Sequence, residues 1–217
     1  METAKKVLGK VYLYYPKNAS FSSIEYQSSK EYLNLLKKRK EAHKDIMYQK
    51  YLKNRLDNLF ENYAVVDWTD LESYNDYEYR ILLHKNQPIL DDDINLLRAL
   101  GNKRLDLFLF ISALEKYYYF LINYTEFCPK TTEYTRFHEE TGKWVFRTMS
   151  TIPAGLENKI EKLRHFLLSN NYVELSDEIA KQIIIDVSTE LKPVGSATVF
   201  DCFFTDVISI DIDQPPV

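Results

Sequence analysis

The segment RLDLFLFISALEKYYYFLINY, residues 104–124, decides the fold class of this chain. Residues 104–112 and 117–124 are two runs rich in apolar and aromatic side chains, and the tetrapeptide ALEK joins them. Runs of this length and composition are typical of β-strands. Because apolar residues stand at consecutive positions in each run, both faces of each strand are expected to be covered. The two runs therefore predict the centre of a β-sheet.

Six further segments have the composition of strands, with frequent Val, Ile, Tyr and Phe. The turn EETG, which ends at Gly142, separates two of them and predicts an exposed hairpin. The six predicted strands are residues 7–15, 64–67, 77–84, 134–138, 143–149 and 197–206.

Two long stretches show the periodicity of amphipathic helices. Residues 29–63 contain no Gly or Pro, and their apolar side chains recur at helical spacing, which predicts one long helix or two helices with a bend. Residues 155–171 predict a second amphipathic helix. Short capped helices are predicted at residues 89–103 and 176–184. The three aspartates at residues 91–93 fit the first turn of a helix, because they lack the alternating ligands and the glycine of a calcium loop.

Length and composition favour one folded unit. A chain of 217 residues that is 45% hydrophobic can bury a sizeable core. We expect a single α+β domain over residues 1–217, with an antiparallel or mixed sheet and helices on one face of it. Residues 29–63 supply a long N-terminal helical segment, and the second amphipathic helix packs on it. Residues 207–217 are expected to be an acidic tail.

Charge is divided unevenly along the chain. Residues 1–63 carry 13 Lys/Arg and 7 Asp/Glu, a net charge of +6, and residues 64–217 carry 15 and 25, a net charge of −10. Such asymmetry indicates either a basic helix packed on an acidic body or an acidic face for a basic partner. Intramolecular pairing is the simpler interpretation.

Several classes of functional site are not expected. The five glycines are isolated from one another, which argues against the glycine-rich loops that hold phosphates. The motifs GxSxG, HExxH and CxxC do not occur, and the two cysteines, Cys128 and Cys202, are far apart. Neither a cofactor nor a bound metal is therefore expected.

The expected location is the cytoplasm. The apolar segment at residues 105–122 is interrupted by three charged residues, so no membrane span is expected. The first twenty residues have no pattern of a secretory signal. Two cysteines alone provide no disulfide framework, which suits a reducing compartment.

The stretch DWTDLESYNDYEYR, residues 67–80, interleaves aromatic side chains with carboxylates. Tyr and Trp are enriched where proteins bind proteins, and surrounding carboxylates attract a basic partner. Nucleic acid does not fit this stretch, because phosphate repels carboxylate. In the alternative interpretation, Trp68, Tyr77 and Tyr79 face the core and the carboxylates are merely solvated. The predicted docking residues are Asp67, Trp68, Asp70, Glu72, Tyr74, Asp76, Tyr77 and Glu78.

The function that these patterns favour is non-enzymatic binding of a basic protein. In general character the chain resembles the immunity proteins of polymorphic toxin systems, which are commonly small inhibitors and often acidic where the toxin is a basic nuclease. The resemblance implies a toxin domain as the partner. Two alternatives stay open. One is an enzyme that uses His84 or His138 with carboxylates brought close by the fold. The other is nucleic-acid binding through the KKRK run at residues 37–40.

Overall fold

A six-stranded mixed β-sheet is the framework of the residues that the computed structural model describes, which are 3–84, 99–129, 142–149, 152–208 and 210. The strands are β1 (Ala64–Asp67), β2 (Asp76–Leu82), β3 (Lys103–Ser112), β4 (Tyr117–Pro129), β5 (Gly142–Met149) and β6 (Val173–Glu174). Strands β1 to β5 are antiparallel neighbours in chain order, and β6 pairs in parallel with the start of β4.

The β3–β4 pair lies at the centre of the sheet, as the sequence predicts. Strand β3 pairs with β2 along one edge and with β4 along the other. Residues 106–112 of β3 are all buried. Alternating side chains point to opposite faces, so an uninterrupted apolar run is stable only where both faces are covered. The predicted strands at residues 64–67 and 77–84 correspond to β1 and β2.

Seven helices accompany the sheet among the described residues. They are α1 (Ala4–Val11), α2 (Ile24–Gln27), α3 (Lys30–Lys44), α4 (Ile46–Leu59), α5 (Glu157–Ser169), α6 (Asp177–Ala180) and α7 (Val199–Phe203). Residues 29–63 therefore form two helices, the second of the two predicted alternatives. The break falls at Asp45, whose side chain accepts a hydrogen bond of 3.0 Å from the Tyr48 amide and caps α4.

Helices cover both faces of the sheet, whereas the sequence predicts helices on one face. On one face, Phe110 and its neighbours pack against α1, α7 and Leu35 of α3. On the opposite face, Leu109 and its neighbours pack against α4 and α5. The two amphipathic helices, α4 and α5, also contact each other. The result is an α+β fold with a hydrophobic core on each side of the sheet.

Residues 7–15, predicted as a strand, are a helix followed by a turn. Val7 and Val11 lie one helical turn apart, and both are fully buried against the sheet. Beyond the helix, the Tyr15 hydroxyl donates a hydrogen bond of 2.8 Å to the carbonyl of Cys202. The prediction was wrong because it relied on the β-branched and aromatic composition of these residues and not on their helical spacing.

Residues 197–206, also predicted as a strand, contain helix α7. Thr198 and Asp201 form a reciprocal cap at its start. The Thr198 hydroxyl accepts a hydrogen bond of 3.2 Å from the Asp201 amide, and the Asp201 carboxylate accepts one of 2.7 Å from the Thr198 amide. The helix is buried on every side, so its sequence lacks the polar face that normally marks a helix.

The remaining predictions are divided between described and undescribed residues. Residues 143–149 lie in β5, which pairs with β4. The other arm of the predicted hairpin, at residues 134–138, lies outside the described residues, as do residues 89–98 of the helix predicted at 89–103 and most of the tail at 207–217. The predicted helices at residues 155–171 and 176–184 correspond to α5 and α6.

Candidate functional site

Four predicted docking residues are exposed at the end of β1 and in the connection from β1 to β2. We call Asp67, Trp68, Asp70 and Glu72 the acidic turn. Its carboxylates help to fix the backbone: Asp67 accepts a hydrogen bond from the Thr69 amide at 3.0 Å, and Asp70 accepts one from the Glu72 amide at 3.1 Å. Short side chains that bond to the backbone a few residues on are typical of rigid turns. The acidic turn is therefore a preorganised surface.

Trp68 is held by an arginine from the neighbouring strand. The Arg80 guanidinium lies 4.1 Å from the centre of the Trp68 ring and 4.7 Å from that of Phe108. Its Nε atom also lies 3.0 Å from Oε1 of Glu78. Trp68 nevertheless keeps 40% of its surface exposed. Stacking on a guanidinium limits the motion of the indole while leaving a large part of it open to a partner.

Helix α3 supports the acidic turn from the other side. Arg39 donates hydrogen bonds to the backbone carbonyls of Ser73 at 2.9 Å and Glu72 at 2.6 Å. The Glu72 carboxylate lies 3.8 Å from Nε2 of His43 and is 81% exposed. Arg39, within the KKRK run at residues 37–40, thus donates its hydrogen bonds to backbone carbonyls of the same chain.

Two predicted docking residues are buried and cannot lie on an exposed surface. Asp76 is 1% exposed, and burial raises the pKa of its carboxyl well above the ordinary value, with the charge of Glu78 adding to the shift. Tyr77 is 3% exposed, and its ring packs on the face of the sheet that α4 covers, where its centre lies 5.7 Å from that of Tyr48. Tyr74 and Glu78 are half-buried. The predicted surface therefore reduces to the acidic turn.

Asp76→Asn is expected to increase the free energy of unfolding at neutral and higher pH. A carboxyl pKa that is higher in the folded chain means that the folded protein binds more protons than the unfolded one. Wild-type stability therefore falls as the pH rises from the ordinary carboxyl pKa towards the raised value. Asparagine has a similar shape and no charge, so it avoids this loss.

Urea unfolding of wild type and variant at pH 5 and pH 8 tests this expectation. We expect a gain of at least about 1 kcal/mol at pH 8, the scale for a buried polar group without a partner, and a smaller gain at pH 5. An equal gain at both pH values would mean that the charge of Asp76 is not responsible.

His84, an alternative catalytic residue, lies in a buried polar cluster. Its Nδ1 atom is 3.9 Å from Oδ1 of Asp106, which is too long for a hydrogen bond. The other carboxylate oxygen of Asp106 lies 2.7 Å from Nε of Arg104. Burial lowers the pKa of His84, the charge of Arg104 lowers it further, and the backbone carbonyl of Leu105 partly opposes both effects. The aspartate is thus oriented towards the arginine rather than towards the imidazole.

The other candidate residues give no further site. His138 lies outside the described residues, and so does the side chain of Cys128. Cys202 is fully buried, and burial raises the pKa of its thiol well above the ordinary value. Within the described ranges, no group of three or more His, Cys, Asp or Glu side chains could hold a metal ion. In the same part of the chain, no helix is both long and apolar enough to span a bilayer.

Two arginines that organise the acidic turn, Arg39 and Arg80, are not among the residues predicted from the sequence. Arg80 follows Glu78 by two residues on the same face of β2, a spacing that is visible in the sequence. Arg39 is far from the turn in the sequence. It belongs to the KKRK run, whose composition is typical of the solvated face of a helix. Only the packing of α3 beside the β1–β2 connection brings it into contact.

Comparisons with known proteins assign no family to this chain. No protein-family model, no curated protein and no solved structure matches it.

Proposed function

We propose that the chain is a non-enzymatic protein that binds a basic protein partner through the acidic turn. The observation that carries the proposal is an exposed tryptophan among three exposed carboxylates on a turn fixed by hydrogen bonds. An aromatic anchor supplies contact area, and fixing it before binding lowers the entropy lost on association. The carboxylates attract a basic partner and speed the encounter.

The specific form of this proposal is an immunity protein that neutralises a basic toxin in the cytoplasm. An inhibitor of this kind blocks its target by steric and electrostatic contact, so it needs no catalytic residue of its own. The net charge of −10 over residues 64–217 supports a basic partner, because unlike charges draw the two proteins together over long distances.

Removing the three charges of the acidic turn, while keeping its shape, is expected to weaken capture of the partner by about tenfold or more at low salt. The variant combines Asp67→Asn, Asp70→Asn and Glu72→Gln. Each amide keeps a carbonyl oxygen that can accept the hydrogen bonds of the turn, so the backbone is expected to stay in place. Purified wild type and variant, immobilised at equal density, are incubated with native cell lysate, and retained proteins are identified by mass spectrometry.

A matched control variant removes the same number of charges elsewhere. Glu25, Glu178 and Glu190 are exposed and form no ion pair among the described residues, so all three are changed to Gln. Support requires a basic protein that wild type and control retain and that the acidic-turn variant loses. If the acidic-turn variant retains the same proteins as the control, the turn is not the docking surface.

A further inference from the structure

A groove between α4 and α5 is lined by cationic and apolar side chains. It has a volume of about 360 Å³ and is lined by Arg55, Asn58, Leu59, Lys162, His165 and Phe166. On each helix the three residues are spaced i, i+3, i+4, so they share one face. We call this feature the α4–α5 groove.

No carboxylate is among the residues that line the α4–α5 groove, and the two acids next to it in the sequence, Asp57 and Glu161, pair with other cations. Asp57 lies 2.6 Å from the Lys53 ammonium, and Glu161 lies 2.7 Å from the Arg164 guanidinium. Neither Arg55 nor Lys162 forms an ion pair with any residue that the structure describes. The groove therefore presents two permanent positive charges and an imidazole with no opposing charge on its walls.

Aromatic side chains stand beside these charges. The Arg55 guanidinium lies 5.4 Å from the centre of the Phe166 ring, within the range of a cation–π contact. Tyr51 precedes Arg55 by one helical turn, contacts Phe166 at a centre-to-centre distance of 6.0 Å and is 41% exposed. A guanidinium suits phosphate oxygens, and an exposed tyrosine ring suits stacking with a base.

We propose that the α4–α5 groove binds a nucleotide, with the phosphate between Arg55 and Lys162 and the base against Tyr51. The volume lies within the range of small-ligand sites, and cationic walls beside an aromatic ring match a phosphate joined to a planar base. The nucleotide is either free in solution or part of a single-stranded nucleic acid, since both offer the same chemistry. This site differs from the KKRK run on α3 and is independent of the acidic turn.

Fluorescence anisotropy of the full chain with a labelled 12-nucleotide single-stranded RNA, at 50 mM salt, tests the proposal. Arg55→Glu with Lys162→Glu is expected to weaken binding at least about thirtyfold and to flatten its salt dependence, because two phosphate contacts are lost. Tyr51→Ala is expected to weaken binding about tenfold through loss of stacking. The control, Lys38→Glu with Lys40→Glu on α3, makes the same change in net charge and is expected to stay within about threefold.

Competitors identify the form of the ligand. Displacement of the RNA by AMP at micromolar to low millimolar concentration supports a free nucleotide, and binding of RNA that AMP does not displace supports single-stranded nucleic acid. The proposal is overturned if neither RNA nor AMP binds, if the α3 control loses as much affinity as the groove variant, or if poly-glutamate competes as well as RNA. Thermal melts of each variant establish that it folds.

Discussion

Phe200→Ala is expected to lower the free energy of unfolding by about 3–5 kcal/mol, the usual cost of removing a large aromatic ring from a packed core. Phe200 is fully buried in α7. Its ring centre lies 5.1 Å from those of Phe110 and Phe204 and 5.5 Å from that of Tyr119. Truncation removes three aromatic contacts and leaves a cavity that α7 and the sheet cannot close without moving. Urea unfolding at pH 7 measures the loss.

The matched control is Ile185→Ala, in the same C-terminal part of the chain. Ile185 is 80% exposed, so its truncation is expected to change stability by less than about 0.5 kcal/mol. A loss below about 1 kcal/mol for Phe200→Ala would show that α7 does not form the centre of this core.

The central strands were predictable because their pattern has one stable solution. Residues 104–112 are apolar at consecutive positions, and such a run needs cover on both faces of a sheet. By the same rule, helices are needed on both faces of the sheet. The prediction placed them on one face and was therefore inconsistent with this rule. Residues 7–15 and 197–206 were wrongly predicted to be strands. Short buried helices and short buried strands have similar compositions, and only their long-range contacts distinguish them.

The exposure of the docking residues could not be deduced from the sequence alone. The backbone amide of Asn75 donates a hydrogen bond of 3.1 Å to the backbone carbonyl of Phe204, so the end of α7 covers the start of β2. This contact joins residues that are far apart in the chain. It lies next to Asp76, which is buried at the start of β2. The alternation rule separates the two faces of β2 but does not show which face is covered. Binding of a partner by the exposed residues stays a prediction.

Arg104→Met is the second change expected to have a large effect, with a loss of about 3–5 kcal/mol at pH 8. The side chains of Arg104 and Asp106 are 3% and 1% exposed, and their charged atoms lie 2.7 Å apart. Methionine fills much of the space of the arginine stem but leaves the Asp106 carboxylate buried without its guanidinium. Removing one charge of a close buried pair costs more than the pair itself contributes, because the other charge stays buried. Chemical unfolding at pH 8 measures the loss.

Two further measurements separate this charge effect from a simple loss of packing. The double variant Arg104→Met with Asp106→Leu removes both charges and is expected to recover most of the stability, because neither charge of the pair stays buried. In the single variant, His84 loses the neighbouring positive charge that lowers its pKa, so the imidazole gains a proton more readily as the pH falls. The imidazolium can then compensate Asp106 at 3.9 Å, and the loss is expected to be smaller at pH 5.5 than at pH 8. A loss that is the same at both pH values, and that the double variant does not recover, would assign the role of Arg104 to packing alone.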